Sequence, residues 1–272
     1  MSLVTPSSAE RIVWNAADYA ANSAVQHRWA RERIARLNLR GGEHLLDVGC
    51  GDGKVTAEIA RALPRGAVTG VDASPEMIEF ATKTFPPDAF PNLRFRVMDA
   101  GKIKLSRPFD VFFSNAALHW MEDHPAILRG AASVLKPGGR LVVSCGGKGN
   151  AHDVFLALRP EMRLKRWRGF FRKMRTPYFF YSPADYEKWL PKSGFKIQRL
   201  ELAPKDETYD GAAGFAAWLR TAWIPYVQRV PECEREDFIA AVTGRYLDRH
   251  PPDQSGRISV RMVRLEMDAV KV

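Results

Sequence analysis

Between residues 44 and 145, short apolar runs alternate with stretches of helical spacing. Five runs read as strands: 44–48, 67–72, 93–97, 109–114 and 140–144. Residues 55–63 carry apolar positions at helical spacing. Ser74-Pro75-Glu76 combines an N-cap, a proline at the first helical position and an acid in the first turn, which predicts a helix start. A further helix is expected over about 125–135, followed by a turn at Pro137-Gly138-Gly139. Ahead of these, the alanine- and arginine-rich first forty residues read as helical until Gly41-Gly42 stops them. Strands separated by helices of this length imply parallel βαβ units in a doubly wound α/β sheet.

After residue 145 the rhythm changes. Residues 151–190 are basic, aromatic and helix-like, with no strand until 195–202. Residues 206–256 form a second helix-rich stretch before a last strand at 259–270. Those two late strands can pair as an edge hairpin, which brings the expected sheet to seven strands. The expected organisation is one domain over 1–272. Its core at 41–145 is cofactor-binding, and 151–190 and 206–256 are helical lid insertions.

Charge alters this picture in one place. The chain of 272 residues holds 41 Lys and Arg against 31 Asp and Glu, a formal charge of +10. Residues 151–180 contribute eight basic and two acidic residues, whereas 181–272 hold fourteen of each. So local an excess argues against a nucleic-acid-coating protein, whose charge covers a wider footprint. The stretch 159–175 reads as a solvated or acid-paired helix face, as an attractor of anionic substrates or an anionic membrane surface, or, third, as an RNA contact. No apolar run reaches the roughly 18 residues of a membrane span, and the first residues lack the pattern of a secretory signal, so a soluble cytoplasmic protein is expected. Cys50, Cys145 and Cys233 are far apart and offer neither a disulfide framework nor zinc spacing, so no metal is expected.

The chemistry gathers at Leu45-Leu46-Asp47-Val48-Gly49-Cys50-Gly51-Asp52-Gly53, a strand running into a glycine loop and then a helix. Glycines there let the backbone turn tightly and approach a ligand closely. Asp72, at the end of the second strand, stands where it can accept both hydroxyls of a ribose. A dinucleotide fingerprint would need glycine at position 54, which is Lys54. Asp47 and Asp52 would repel a pyrophosphate but suit a sulfonium and an ammonium. These residues favour S-adenosylmethionine over a nicotinamide dinucleotide.

Five segments together resemble the class I S-adenosylmethionine-dependent methyltransferases: LLDVGCGDG at 45–53, VTGVDASPEMI at 68–78, RFRVMDA at 94–100, FDVFFSNAALHW at 109–120 and LKPGGRLVV at 135–143. The resemblance implies a Rossmann-like, mostly parallel seven-stranded sheet with an antiparallel edge strand and a helical lid. It also implies that Gly49 and Gly51 cradle the methionine end and that Asp72 holds the ribose, with Ala73 beside the adenine. Asp99 would bond the adenine amino group, Ala100 would line its ring, and Asn115 would lie beneath the donor. Trp14–Tyr19, Asn115–Trp120, the 215–226 stretch and Met262–Glu266 further resemble the trans-aconitate and juvenile hormone acid methyltransferase-like enzymes, which methylate carboxylates of small acids. Tyr19 would then close over the methionine end.

For the acceptor, a small molecule and most directly a carboxylic acid, the sequence offers His119, Trp120, Arg220, Trp223 and Tyr226. A carboxylate is ionised at pH 7 and needs only alignment. A hydroxyl or carbon acceptor would need a base, for which His119 is the candidate; its other readings are a structural histidine and a residue that orients a carboxylate. Arg220 could clamp a carboxylate through two hydrogen bonds or lie on a solvated helix face. Trp120, Trp218, Trp223 and Tyr226 could wall the acceptor site or simply fill the lid core. A cofactor-binding module that docks on a membrane or RNA without catalysis is the rival from another class.

Overall fold

The structure, a computed structural model, describes residues 24–106 and 108–272, without the side chains of 24–26 and 28. Trp14–Tyr19, and with it the expectation for Tyr19, lies outside the described residues.

In chain order the elements are α1 (Ala24–Arg36), β1 (His44–Val48), α2 (Lys54–Arg61), β2 (Ala67–Asp72), α3 (Pro75–Thr84), β3 (Leu93–Val97), β4 (Phe109–Asn115), α4 (His124–Val134), β5 (Leu135–Gly146) and α5 (His152–Arg163). They continue with α6 (Pro183–Lys192), β6 (Phe195–Pro204), β7 (Glu207–Asp210), α7 (Gly211–Ala222), α8 (Ile224–Val227), α9 (Arg235–Leu247), β8 (Arg257–Val260) and β9 (Val263–Lys271). The helix starts follow local chemistry. Ser74 accepts from the Met77 N–H at 3.2 Å, with Pro75 behind it, and Asp123 accepts from the Ala126 N–H at 2.9 Å.

Seven strands form one sheet in the order β3-β2-β1-β4-β5-β9-β6. β1 to β5 are parallel, and β9 runs antiparallel to both its neighbours. The expected late hairpin therefore closes one end of the sheet, with the reversed strand β9 second from the edge and β6 outermost. β1 and β4 are buried along nearly their whole length, as central parallel strands covered on both faces must be. The chain steps outward from β1 to β3, then returns to β4 on β1's other side. That reversal opens a crevice at the carboxyl ends of β1 and β4.

Three apolar clusters hold the molecule together. One, around Phe112, Leu141 and Met267, lies under α4 and α6. Another, around Leu45, Ile59 and Phe113, lies under α1 and α2. The third belongs to the lid: Val154, Trp167, Phe215, Trp223, Phe238 and Tyr246 pack with Ile258 and Val260. At about 1.5–3 kcal/mol for each fully buried large side chain, this cluster gives the lid its own source of cohesion. Helix α1 is tied to the sheet by Arg33, which donates to Glu266 at 3.3 Å and also to Asp268.

Three expectations change. The last strand is not continuous over 259–270. β8 pairs with β7 in a separate two-stranded sheet, and β9 begins only at Val263. Ile258 and Val260 alternate into the lid core, whereas Leu265, Met267 and Ala269 alternate into the sheet core, so one run of alternating residues serves two bodies and must break between them. The basic stretch is helical only to Arg163; residues 164–182 follow as turns and extended chain. Finally, Pro137-Gly138-Gly139 lies within an irregular start of β5, where Leu135 already pairs with Phe109. No helix among the described residues is long and apolar enough to cross a membrane.

Candidate active site

Among the described residues, three adjoining cavities lie in the crevice, and Ala116 lines all of them. Its backbone is held at φ +56°, with its N–H donating to the Ser144 carbonyl at 2.8 Å. A non-glycine residue in that region stores strain of order 1–3 kcal/mol. Here the turn at the end of β4 aims the following loop across the carboxyl end of β1.

The largest of these three, about 310 Å3, is lined by Gly49, Gly51, Asp72, Ala73, Met98 and Ala100, among others. Gly49 has φ +76°, and a Cβ on it would stand 2.1 Å from the Ala117 Cβ, so no other residue fits. The Asp72 carboxylate accepts from the Gly51 N–H at 3.0 Å and the Ser74 N–H at 2.9 Å. These bonds fix the loop to β2 and leave lone pairs facing the cavity. Burial raises the Asp72 carboxyl above the usual carboxylate range despite those bonds.

The second cavity, about 60 Å3, holds Asp47, Asp52, Lys54 and Asn115. The Thr56 hydroxyl donates to Asp47 at 2.7 Å, yet burial pushes that carboxyl up to about 7, with Asp72 adding to the shift. Asp52 Oδ2 is buried and has no hydrogen-bond partner among the described residues; Lys54 Nζ stands 3.6 Å from it. A buried carboxylate oxygen that lacks a donor is costly, and an ammonium donor would satisfy it. The acidic second cavity and the larger first one, with the Asp72 carboxylate in its wall, therefore fit S-adenosylmethionine.

The third cavity, about 80 Å3, lies on the lid side and is walled by Trp120, His119, Tyr178, Phe180, Trp218, Trp223 and Arg264. Trp120 also lines the first cavity, so one indole spans both. His119 Nδ1 accepts from the Gly146 N–H at 3.2 Å, and a neutral ring then carries its hydrogen on Nε2. Burial, then the Arg264 and His124 charges, push the imidazole down to about 3. Such a ring is a weak base and a serviceable donor, so this environment lends the base role no support. His124 is a structural partner of the Leu118 carbonyl at 2.9 Å and of the Tyr186 hydroxyl.

Arg264 is the residue that sequence reasoning passed over. It is buried at the head of β9, donating to the Ser144 carbonyl at 2.7 Å, the Ser144 hydroxyl at 3.1 Å and Asn115 Oδ1 at 3.4 Å. Its guanidinium also lies 4.9 Å from the centre of the Trp29 ring. The signal was present as charged residues at 264, 266 and 268 alternating with Leu265, Met267 and Ala269. In an internal strand that alternation buries charge, which is retained only where it is paired or used.

Arg220 does not reach the cavities. It lies on the exposed face of α7 and binds Glu236 through two hydrogen bonds. The turn that should have aimed it inward instead presents Trp218, Thr221 and Trp223. Tyr226 stands behind the wall, packed on Phe155, Tyr178 and Trp223. Asp99 is exposed and caps a short 3-10 turn through the Gly101 N–H at 2.9 Å. Its neighbours Met98 and Ala100, not Asp99 itself, line the first cavity. Asn150, in the turn ahead of α5, and Tyr178 and Phe180, in the chain between α5 and α6, were missed because they lie outside regular elements.

Fold and site define a cofactor-dependent α/β enzyme whose crevice has a glycine-lined, acidic side and an aromatic lid side. A family model described as a methyltransferase domain matches residues 39–165. An uncharacterized methyltransferase of Schizosaccharomyces pombe is 34% identical over 192 residues, covering 69% of this chain and 72% of that one. The trans-aconitate 2-methyltransferase of Rhizobium etli is 28% identical over 264 residues, covering 96% and 100%. Among solved structures, the phosphoethanolamine N-methyltransferase 2 of Haemonchus contortus with S-adenosylhomocysteine superposes with TM-score 0.59 at 15% identity, covering 94% of this chain and 56% of that one. The chain belongs to the S-adenosylmethionine-dependent methyltransferases. S-adenosylmethionine is its cofactor.

Proposed function

We propose that the protein methylates a carboxylate oxygen of a small organic acid whose body is apolar and which sits in the aromatic lid cavity. The observation that carries this reading is Arg264, a buried guanidinium in the wall of that cavity beside the Ala116 junction. The similarity to trans-aconitate 2-methyltransferases supports the carboxylate over other acceptors.

The assignment of roles follows from the placement of the residues. Gly49, Gly51 and Asn115 hold the methionine portion, with Asp47 and Asp52 facing its ammonium. Asp72 binds the ribose; Ala73, Met98 and Ala100 enclose the adenine. Bound there, S-adenosylmethionine supplies a methyl group already activated by a cationic sulfur. Arg264 and the His119 Nε2–H hold the acceptor carboxylate, and Trp120, Trp218 and Trp223 exclude water and align it. No proton has to be removed from an ionised carboxylate, so alignment alone can contribute up to about 7–11 kcal/mol. Residues 41–145 serve as the cofactor core, and the elements of 151–190 and 206–256 cover the acceptor.

The test is a methyl-transfer screen over apolar carboxylic acids, phenols and amines, with mass analysis of products. Methyl esters formed from acids, with KM raised about 100-fold in Arg264→Gln and S-adenosylhomocysteine affinity kept, are expected. Methylated phenols or amines without any ester would overturn the proposal.

A further inference from the structure

The lid carries a cationic surface with aliphatic side chains set into it. Arg163, Lys165, Arg168, Arg172, Lys173 and Arg175 are all exposed, and none makes an ion pair among the described residues. Arg166, in their midst, is different: it is spoken for by Glu234 at 3.2 Å and Asp237 at 2.5 Å, and it covers the Trp167 ring. That anchor pins the segment to α9 and leaves the other six cations facing solvent. Among the described residues four large apolar side chains are exposed, and two of them are Leu156 at 37%, seven residues before Arg163 on the same helix, and Leu164 at 45%, between Arg163 and Lys165.

We propose that this face docks on a membrane surface rich in anionic lipids, with Leu156 and Leu164 entering the headgroup boundary. Clustered lysines and arginines are drawn to such a surface, each adding to the attraction within a Debye length. Aliphatic side chains beside them then bury in the acyl boundary. A single-stranded nucleic acid is the poorer fit, because it needs exposed aromatic faces on which bases stack. Here Trp167 and Phe171 are turned into the lid core at 2% and 8% exposure. The docking face runs from Leu156 and Arg163 of α5 into the turns that follow it, and Phe155 of the same helix packs against Tyr178, Phe180 and Trp223 of the lid-side cavity. A docked molecule thus holds its acceptor cavity close to the lipid phase.

The full chain is sedimented with vesicles of phosphatidylcholine alone or with about 30% phosphatidylserine, at roughly 50 and 300 mM salt, with a single-stranded RNA homopolymer in parallel. Expected is binding to the anionic vesicles only, weaker by about tenfold at the higher salt. The triple variant Arg168→Glu, Arg172→Glu, Lys173→Glu should lose it. Leu164→Gln, which leaves the charge unchanged, should weaken it severalfold. S-adenosylhomocysteine binding, unchanged in every variant, reports that the fold is intact. No vesicle binding, equal binding to neutral vesicles, or RNA binding tighter than vesicle binding and indifferent to Leu164→Gln would each overturn the proposal.

Discussion

Gly49 and Ala117 meet so closely that a Cβ on the glycine would lie 2.1 Å from the alanine's own. The contact closes the carboxyl end of β1 against the loop that follows β4, and Gly49 lines the first two cavities beside it. Gly49→Ala must both adopt φ +76° and displace that loop. Left-handed strain and overpacking together should cost about 2–4 kcal/mol. Thermal unfolding should show the loss, and calorimetry should show S-adenosylhomocysteine binding weakened at least about tenfold. A variant with unchanged melting temperature and affinity would refute the account of this contact.

Asp47 gives the ligand-free protein a pH signature. Its carboxyl is held at about 7 in the folded state, above the unfolded value near 3.9, so the folded chain binds this proton more tightly. Its contribution therefore favours folding most at pH below about 4, is lost as pH rises to about 7, and is flat beyond. The slope approaches 1.4 kcal/mol per pH unit, on the order of 4 kcal/mol in total. Denaturant unfolding of wild type and Asp47→Asn from pH 5 to 8 isolates it, because the variant should lack this part of the slope. Affinity for S-adenosylmethionine should move the opposite way, rising with pH toward 7 in wild type and staying flatter in the variant, since an ammonium ligand favours the ionised carboxylate.

His119 should leave no mark on the pH–rate profile. With its imidazole pushed down to about 3, kcat/KM should show no ionisation near 6–7 that His119→Gln removes. The variant should lose affinity for the acceptor through the missing Nε2–H donor while kcat changes little. A limb near pH 6.5 that vanishes in His119→Gln would reinstate the general base and with it a hydroxyl or carbon acceptor.

Arg220 and Arg264 should part company on substitution. Arg220 pairs with Glu236 on the lid surface, where exposed ion pairs contribute about 0.2–1 kcal/mol. Arg220→Ala should therefore lower stability by less than about 1 kcal/mol and leave KM for the acceptor unchanged. Steady-state kinetics of the two variants, side by side, decide which arginine serves the acceptor: a large KM effect at position 220 would move the acceptor site toward α7.

The donor half of the site was legible because its signals are local. Strand, glycine loop, helix and the acid ending the next strand follow one another within 28 residues, and each forms by backbone rules that act over a few positions. The N-cap at Ser74 and the bounds of β1, β2 and β3 belong to the same class. The lid-side half was legible only as a list of residue types. Trp120, Trp218 and Trp223 were recognisable as candidates, but Arg220 and Arg264 both sit among apolar neighbours, and no local rule tells a lid-surface arginine from one in the cavity wall.

What the sequence determined by itself was a parallel α/β core with a methionine- and adenosine-shaped crevice, because short-range propensity and glycine geometry suffice to build that. The tertiary structure alone decided that 257–260 belongs to the lid and 263–271 to the sheet, and that Arg264 rather than Arg220 stands in the wall of the lid-side cavity. Each of those outcomes depends on which of two cores buries a given face. That choice is made by packing between segments more than a hundred residues apart, such as Arg264 against Ser144, and no stretch of neighbouring residues encodes it.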